Sequence, residues 1–67
     1  MPGSMIFVEQ VIRTLLKEEG PKDKQTLVRE VADQMNISEL DSYIEATLDN
    51  MIGTGKIDLD ENGKVHI

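Results

Sequence analysis

The sequence has no cysteine and no tryptophan, and its aromatic residues are a single tyrosine and a single phenylalanine. The lack of cysteine excludes a disulfide framework, a thiolate zinc site and a cysteine nucleophile. Long apolar runs are also missing: the longest extends from Met5 to Val8, far below the ~20 residues of a membrane-spanning helix. No secretory leader is recognisable, so we expect an intracellular, reducing compartment and no membrane association.

Basic residues are scarce as well. Thirteen Asp and Glu stand against seven Lys and Arg in 67 residues, giving a formal net charge of −6. This balance disfavours a protein that binds phosphate backbones through a broad basic surface. The length allows one domain, and a chain of this size buries only about 60% of its unfolded surface, so each apolar residue matters. Residues 1–4 are typical of a cloning remnant, which leaves a single domain at residues 5–67.

Apolar residues spaced three and four apart predict helices over residues 5–19, 24–35 and 39–52. Between the first two helices, Lys22 and its neighbours are expected to form a short loop that includes up to two residues of extended chain. The residues expected to share an apolar helix face are Val8, Val11, Ile12, Leu15 and Leu16 in the first helix, Leu27, Val28, Val31, Ala32 and Met35 in the second, and Leu40, Tyr43, Ile44, Leu48, Met51 and Ile52 in the third.

Capping residues mark the helix ends. Asp23 is expected to cap the second helix and Ser38 the third, because each side chain can accept hydrogen bonds from first-turn amides. Gly20 and Asn36 tolerate the left-handed conformation and are expected to end the first two helices, and Gly53 the third.

The last segment predicts a β-hairpin with strands at residues 56–60 and 64–67. A two-residue Asn-Gly loop would leave apolar residues on both faces. A three-residue loop, residues 61–63, places Leu59 opposite Val65 on one apolar face, with Gly63 left-handed in the bulge position. The same register places Ile57 opposite Ile67, Asp58 opposite His66 and Asp60 opposite Lys64.

Three helices followed by a hairpin give a mainly α fold class, in the order of a winged helix-turn-helix. The apolar and glycine positions that such domains share are Leu27, Val31, Ile37, Ile44, Leu48, Met51, Gly55 and Ile57. On these positions the chain resembles this superfamily from about Ile6 to Ile67. It is similar in particular to the C-terminal winged helix of the replication protein A middle subunit and of minichromosome maintenance helicases. The replication protein A resemblance implies a module that recruits partner proteins by binding their short helical segments.

The charges of the third helix distinguish a DNA partner from a protein partner, because this helix enters the major groove in DNA-binding winged helices. No Lys or Arg occurs from Leu40 to Gly55, and residues 38–67 hold seven acidic and two basic residues. Its exposed positions are expected to be Glu39, Asp41, Ser42, Glu45, Ala46, Asp49 and Asn50. We therefore expect an acidic face that docks a basic segment of a partner protein. The resemblance implies that this partner belongs to a replication or transcription assembly. It also implies, by position, that the docking residues are Glu45, Asp49, Asp58, Asp60 and Glu61.

Three alternatives stay open. The carboxylates can be no more than a solvated face that keeps a small domain soluble. The domain can also be a transcriptional regulator that contacts DNA through the wing or the second helix, or a structural part of a larger machine. An exposed Ile6–Phe7 edge on the first helix would mark a dimer contact. The basic residues available to a DNA-binding regulator are Lys24, Arg29, Lys56 and Lys64.

Other chemistry has little support, so we expect no enzyme activity and no cofactor or metal. Residues 58–63 match the opening D-x-D-x-N-G of a calcium loop, but the chain ends before the required glutamate and no helices flank the segment. The single histidine, His66, is expected on a solvent-facing strand position without a second ligand. Residues 53–56 lack the strand and helix that flank a phosphate loop, and no serine has a histidine base beside it.

Overall fold

The described part of the chain contains three helices and three short strands. The computed structural model describes residues 2–36 and 41–67, and within these ranges the side chains from Phe7 onwards. Each of the three helices expected from the periodicity is present, and the hairpin follows them. The elements are α1 (Pro2–Glu19), β1 (Lys22–Asp23), α2 (Lys24–Met35), α3 (Asp41–Gly53), β2 (Asp58–Leu59) and β3 (Lys64–His66).

The strands form one antiparallel sheet in the order β1-β3-β2. The expected hairpin register is confirmed, since Leu59 lies opposite Val65 and Asp58 opposite His66. The extended residues expected near Lys22 form a third strand, with Lys22 opposite Val65. A mainly helical chain with a small antiparallel sheet is the predicted fold class, in a winged-helix-like arrangement.

The helix ends that the structure describes follow the expected residues, except at the start of α1. Gly20 (φ 85°) and Asn36 (φ 57°) are left-handed, as predicted. Helix α1 begins at Pro2 rather than at residue 5, because proline suits the first turn, where its missing N–H is not needed. Helix α3 ends at Gly53 as predicted, but its expected cap Ser38 lies outside the described residues.

The prediction that the Asp23 side chain caps α2 is wrong. Asp23 occupies the N-cap position of α2 with extended backbone angles, but its side chain makes no hydrogen bond to the helix. Asp23 also belongs to β1, directly opposite Lys64. Its carboxylate instead lies 3.6 Å from the Lys64 ammonium.

The core lies between the three helices and one side of the sheet, and α3 packs against both α1 and α2. Thr47 is a buried polar residue that the apolar pattern missed, and its hydroxyl donates to the Tyr43 carbonyl at 2.9 Å. The buried apolar residues are Val8, Ile12, Leu15, Leu16, Leu27, Val28, Val31, Ala32, Ile44, Leu48, Met51, Ile57 and Val65, with Val11, Met35, Tyr43 and Ile52 partly buried against them.

The apolar face expected for the hairpin is only half buried. Ile57 and Val65 are covered by the core, but Leu59 is 48% exposed and Ile67 is 55% exposed. The reason is size, because strands of two and three residues bring few side chains onto the helices. Phe7 in α1 is also 55% exposed, so it lies outside the core.

Candidate interaction surface

An acidic stripe, defined as Asp41, Glu45 and Asp49, runs along the exposed side of α3. All three side chains are exposed, while Ile44 and Leu48 on the opposite side are buried. Residues four apart lie one above the other on a helix, so the three carboxylates form a line and repel one another weakly. The exposed positions expected from the sequence are confirmed for the described part of α3, and Glu39 lies outside it.

One end of the acidic stripe is neutralised by α2. The ammonium of Lys24, the first residue of α2, forms an ion pair with the carboxylate of Asp49. The pair is solvent-accessible, with side-chain exposures of 32% and 58%, so its contribution to stability is small and sensitive to salt. Asp49 therefore shares its charge with Lys24, whereas Asp41 and Glu45 form no ion pair within the described residues.

The three acidic residues of the hairpin differ in what they do. Asp60 has a structural role, because its Oδ1 accepts the backbone N–H groups of Asn62 and Lys64, both at 2.9 Å. This Asx turn accounts for the second aspartate of the calcium-like motif, Asp60. Asp58 and Glu61 are exposed. Within residues 2–36 and 41–67, no group of three or more His, Asp or Glu side chains is placed to hold a metal ion.

Three of the four basic residues predicted to be available for DNA binding lie close to carboxylates. Besides Lys24, Lys56 is 3.0 Å from Glu9 of α1, and Lys64 is paired with Asp23. Arg29 differs, because it has no ion-pair partner among the described residues. The structure therefore brings together no cluster of free cations from these four residues in the part of the chain that it describes.

Lys22 has a structural role that the sequence did not reveal. Its ammonium lies 2.6 Å from Glu19 at the end of α1 and 3.0 Å from Glu30 in α2. Hydrogen bonds to these two carboxylates raise the pKa of Lys22 above its ordinary 10.5, and the bond to Glu19 has the larger effect. The spacing from Glu19 is visible in the sequence, but contact with Glu30 depends on how β1 turns into α2.

A shallow groove between α2 and α3, of about 250 Å³, was also not predicted. Glu45 is the only residue of the predicted docking set that lines it. The other charged lining residues are Asp41 and Arg29, which come from different helices. Periodicity finds the exposed face of each helix but not which faces meet at a groove. The lining residues are Gln25, Val28, Arg29, Asp41, Ser42 and Glu45.

Comparison of the chain with protein-family models, with curated proteins and with solved structures found no match in any of the three. The described helices include none with the length and apolar character needed to cross a bilayer.

Proposed function

We propose that the domain is a non-enzymatic docking module that binds a basic segment of a partner protein through acidic side chains of α3 and of the hairpin. The residues that would contact the segment are Glu45 and Asp49 on α3, with Asp58 and Glu61 on the hairpin. Asp60 supports the hairpin residues by holding the turn. The suggestion that the partner belongs to a replication or transcription assembly rests on the sequence resemblance.

The acidic stripe is the observation that carries this proposal. It lies on the exposed side of α3, the helix that DNA-binding winged helices present to DNA. Residues 41–55 contain no Lys or Arg that could offset the stripe from within α3. A basic segment would gain favourable electrostatic contacts there, which speed association and exclude acidic partners.

Duplex DNA fits the same face poorly. Binding to DNA is driven by the release of counterions when Lys and Arg neutralise phosphates. Here Lys24, Lys56 and Lys64 lie beside carboxylates that a phosphate would have to displace or approach. The α3 face would add repulsion, because its charged residues are all acidic.

A binding experiment with paired variants tests the proposal. The probes are a fluorescein-labelled amphipathic helical peptide rich in lysine and a labelled 20-base-pair DNA duplex, each followed by fluorescence anisotropy at low salt. We expect the wild type to bind the peptide more tightly than the duplex. Glu45→Lys combined with Asp49→Lys should weaken peptide binding about tenfold or more, because two attractive contacts become repulsive.

The matched control is Glu18→Lys combined with Asp33→Lys, which changes the net charge equally at exposed positions on α1 and α2. This control should bind the peptide within about threefold of the wild type. Circular dichroism verifies that both double variants are folded. Equal losses in the two double variants would mean that only net charge matters, and tighter binding of the duplex by the wild type would favour the DNA-binding regulator.

A further inference from the structure

The groove between α2 and α3 has walls of opposite charge. Arg29 is on the α2 side, and Asp41 and Glu45 are on the α3 side. Val28, which is 7% exposed, contributes an apolar surface between them. The groove thus continues the acidic stripe and adds a cation at its edge.

The charged side chains that line the groove form no ion pairs among the residues that the structure describes. Arg29, Asp41 and Glu45 have no ion-pair partners among residues 7–36 and 41–67, whereas Lys22 and Lys24 nearby in the chain each have one or more. A guanidinium presents a rigid fork of donors that matches a carboxylate with two parallel hydrogen bonds. Arg29 is therefore suited to an acidic side chain brought by a partner.

The size and openness of the groove favour side chains of a docked polypeptide over a small molecule. Its volume of about 250 Å³ is below the ~300–1,000 Å³ of typical ligand pockets. A nucleic acid is disfavoured as well, because a phosphate on Arg29 would lie in the same groove as the carboxylates of Asp41 and Glu45. A protein segment avoids this repulsion when it carries both signs of charge.

We propose that the groove selects a helical partner segment of mixed charge. A Lys or Arg of the segment lies along Asp41 and Glu45, and an Asp or Glu about one turn away pairs with Arg29. This inference deepens the proposed function and rests on it, because it adds a required acidic residue to the basic segment. Arg29 then fixes the orientation in which the segment binds.

Two synthetic peptides test the inference. Both are 14-residue, alanine-rich helices with lysines four residues apart, and they differ only at one position a turn further on, which is Glu in the first and Lys in the second. Each is titrated into ¹⁵N-labelled protein, and affinities are taken from amide shifts. We expect the wild type to bind the Glu peptide at least threefold more tightly, with shifts at Val28, Arg29 and Ser42.

Substitution of Arg29 provides the decisive comparison. Arg29→Glu should reverse the preference toward the Lys peptide, and Arg29→Gln should abolish it. Arg13→Glu is the matched control, because Arg13 is exposed on α1, does not line the groove and changes the net charge equally. This control should keep the wild-type preference, and the amide spectra verify that each variant is folded.

The outcomes separate the two proposals. Equal affinities for the two peptides, or shifts confined to α3 and the hairpin, would overturn the mixed-charge inference and leave the acidic docking face standing. A preference that survives Arg29→Glu would overturn it too. The absence of binding by either peptide would refute the docking function itself, and the inference with it.

Discussion

Lys22 joins three elements through one side chain. It lies in β1, and its ammonium is hydrogen-bonded to Glu30 in α2 and paired with Glu19 at the end of α1. The side chain is 14% exposed, so its stem is covered while its charge is shared by the two carboxylates. These contacts raise the pKa of Lys22, which makes its contribution to stability dependent on pH.

Lys22→Met tests this contribution, because methionine keeps most of the aliphatic stem and removes the charge. A pKa that is higher in the folded than in the unfolded state means that the charged form stabilises the fold. The stabilisation is complete below the unfolded value of about 10.5 and is lost as the pH rises through the higher folded value. We therefore expect the variant to melt below the wild type at pH 8, with the difference shrinking above pH ~10.5.

Thermal unfolding followed by circular dichroism from pH 8 to pH 11.5 measures this difference. Lys17→Met is the control, because Lys17 is exposed near the end of α1 and has no ion-pair partner among the described residues. A difference between wild type and Lys22→Met that stays constant across this range would show that the charge of Lys22 does not contribute.

Local backbone geometry at single residues was largely predictable from the sequence. Gly20, Asn36 and Gly63 have the left-handed angles expected of them, because few other residue types adopt these angles at low cost. The capping role of Asp23 was predicted wrongly, since the competing partner Lys64 is distant in the sequence. Local rules fail where a strand from elsewhere in the chain offers the side chain another contact.

At the scale of elements, the turn of the hairpin sets the register in which β2 pairs with β3. Gly63 has φ 81°, and its N–H donates to the Asp60 carbonyl at 3.1 Å. With the Asx turn of Asp60, this places Leu59 opposite Val65. The loop length could be deduced from the sequence because only one register separates apolar from charged residues.

Alanine substitutions at two glycines isolate the cost of the left-handed turn. At Gly63 and at Gly53 no described atom lies within 4 Å of an added Cβ, but only Gly63 has a positive φ. Gly63→Ala should therefore destabilise the domain by about 1–2 kcal/mol. Gly53→Ala, at the end of α3, should be neutral or stabilise by up to ~1 kcal/mol. Urea denaturation measures both, and equal effects would show that the left-handed angle does not set the cost.

The candidate site was predictable only in part, because the contacts between elements could not be deduced from the sequence. The acidic stripe follows from helical periodicity, which places residues four apart on one exposed face. The Lys24–Asp49 pair and the groove with Arg29 require the relative placement of α2 and α3, which no single-helix pattern contains. Contacts within an element could be deduced, and contacts between elements needed the structure.

For the whole molecule, α3 is the central packing element of a small core. Leu48 of α3 is fully buried, and α3 packs against both other helices. At ~0.05–0.15 kcal/mol per residue, a domain of 67 residues has a stability of about 3–10 kcal/mol. Loss of a single core contact is therefore a large fraction of the total.

Two Leu→Ala substitutions measure how much of that stability depends on the core. Leu48→Ala removes a side chain that is 0% exposed and should cost about 2–5 kcal/mol, which unfolds the domain at 25 °C if its stability lies at the low end of about 3–10 kcal/mol. Leu59→Ala makes the same chemical change at a side chain that is 48% exposed and should cost about 1 kcal/mol or less. Urea denaturation followed by circular dichroism gives both values. Similar losses would mean either that Leu59 is covered by a contact in solution or that α3 does not occupy the centre of the core.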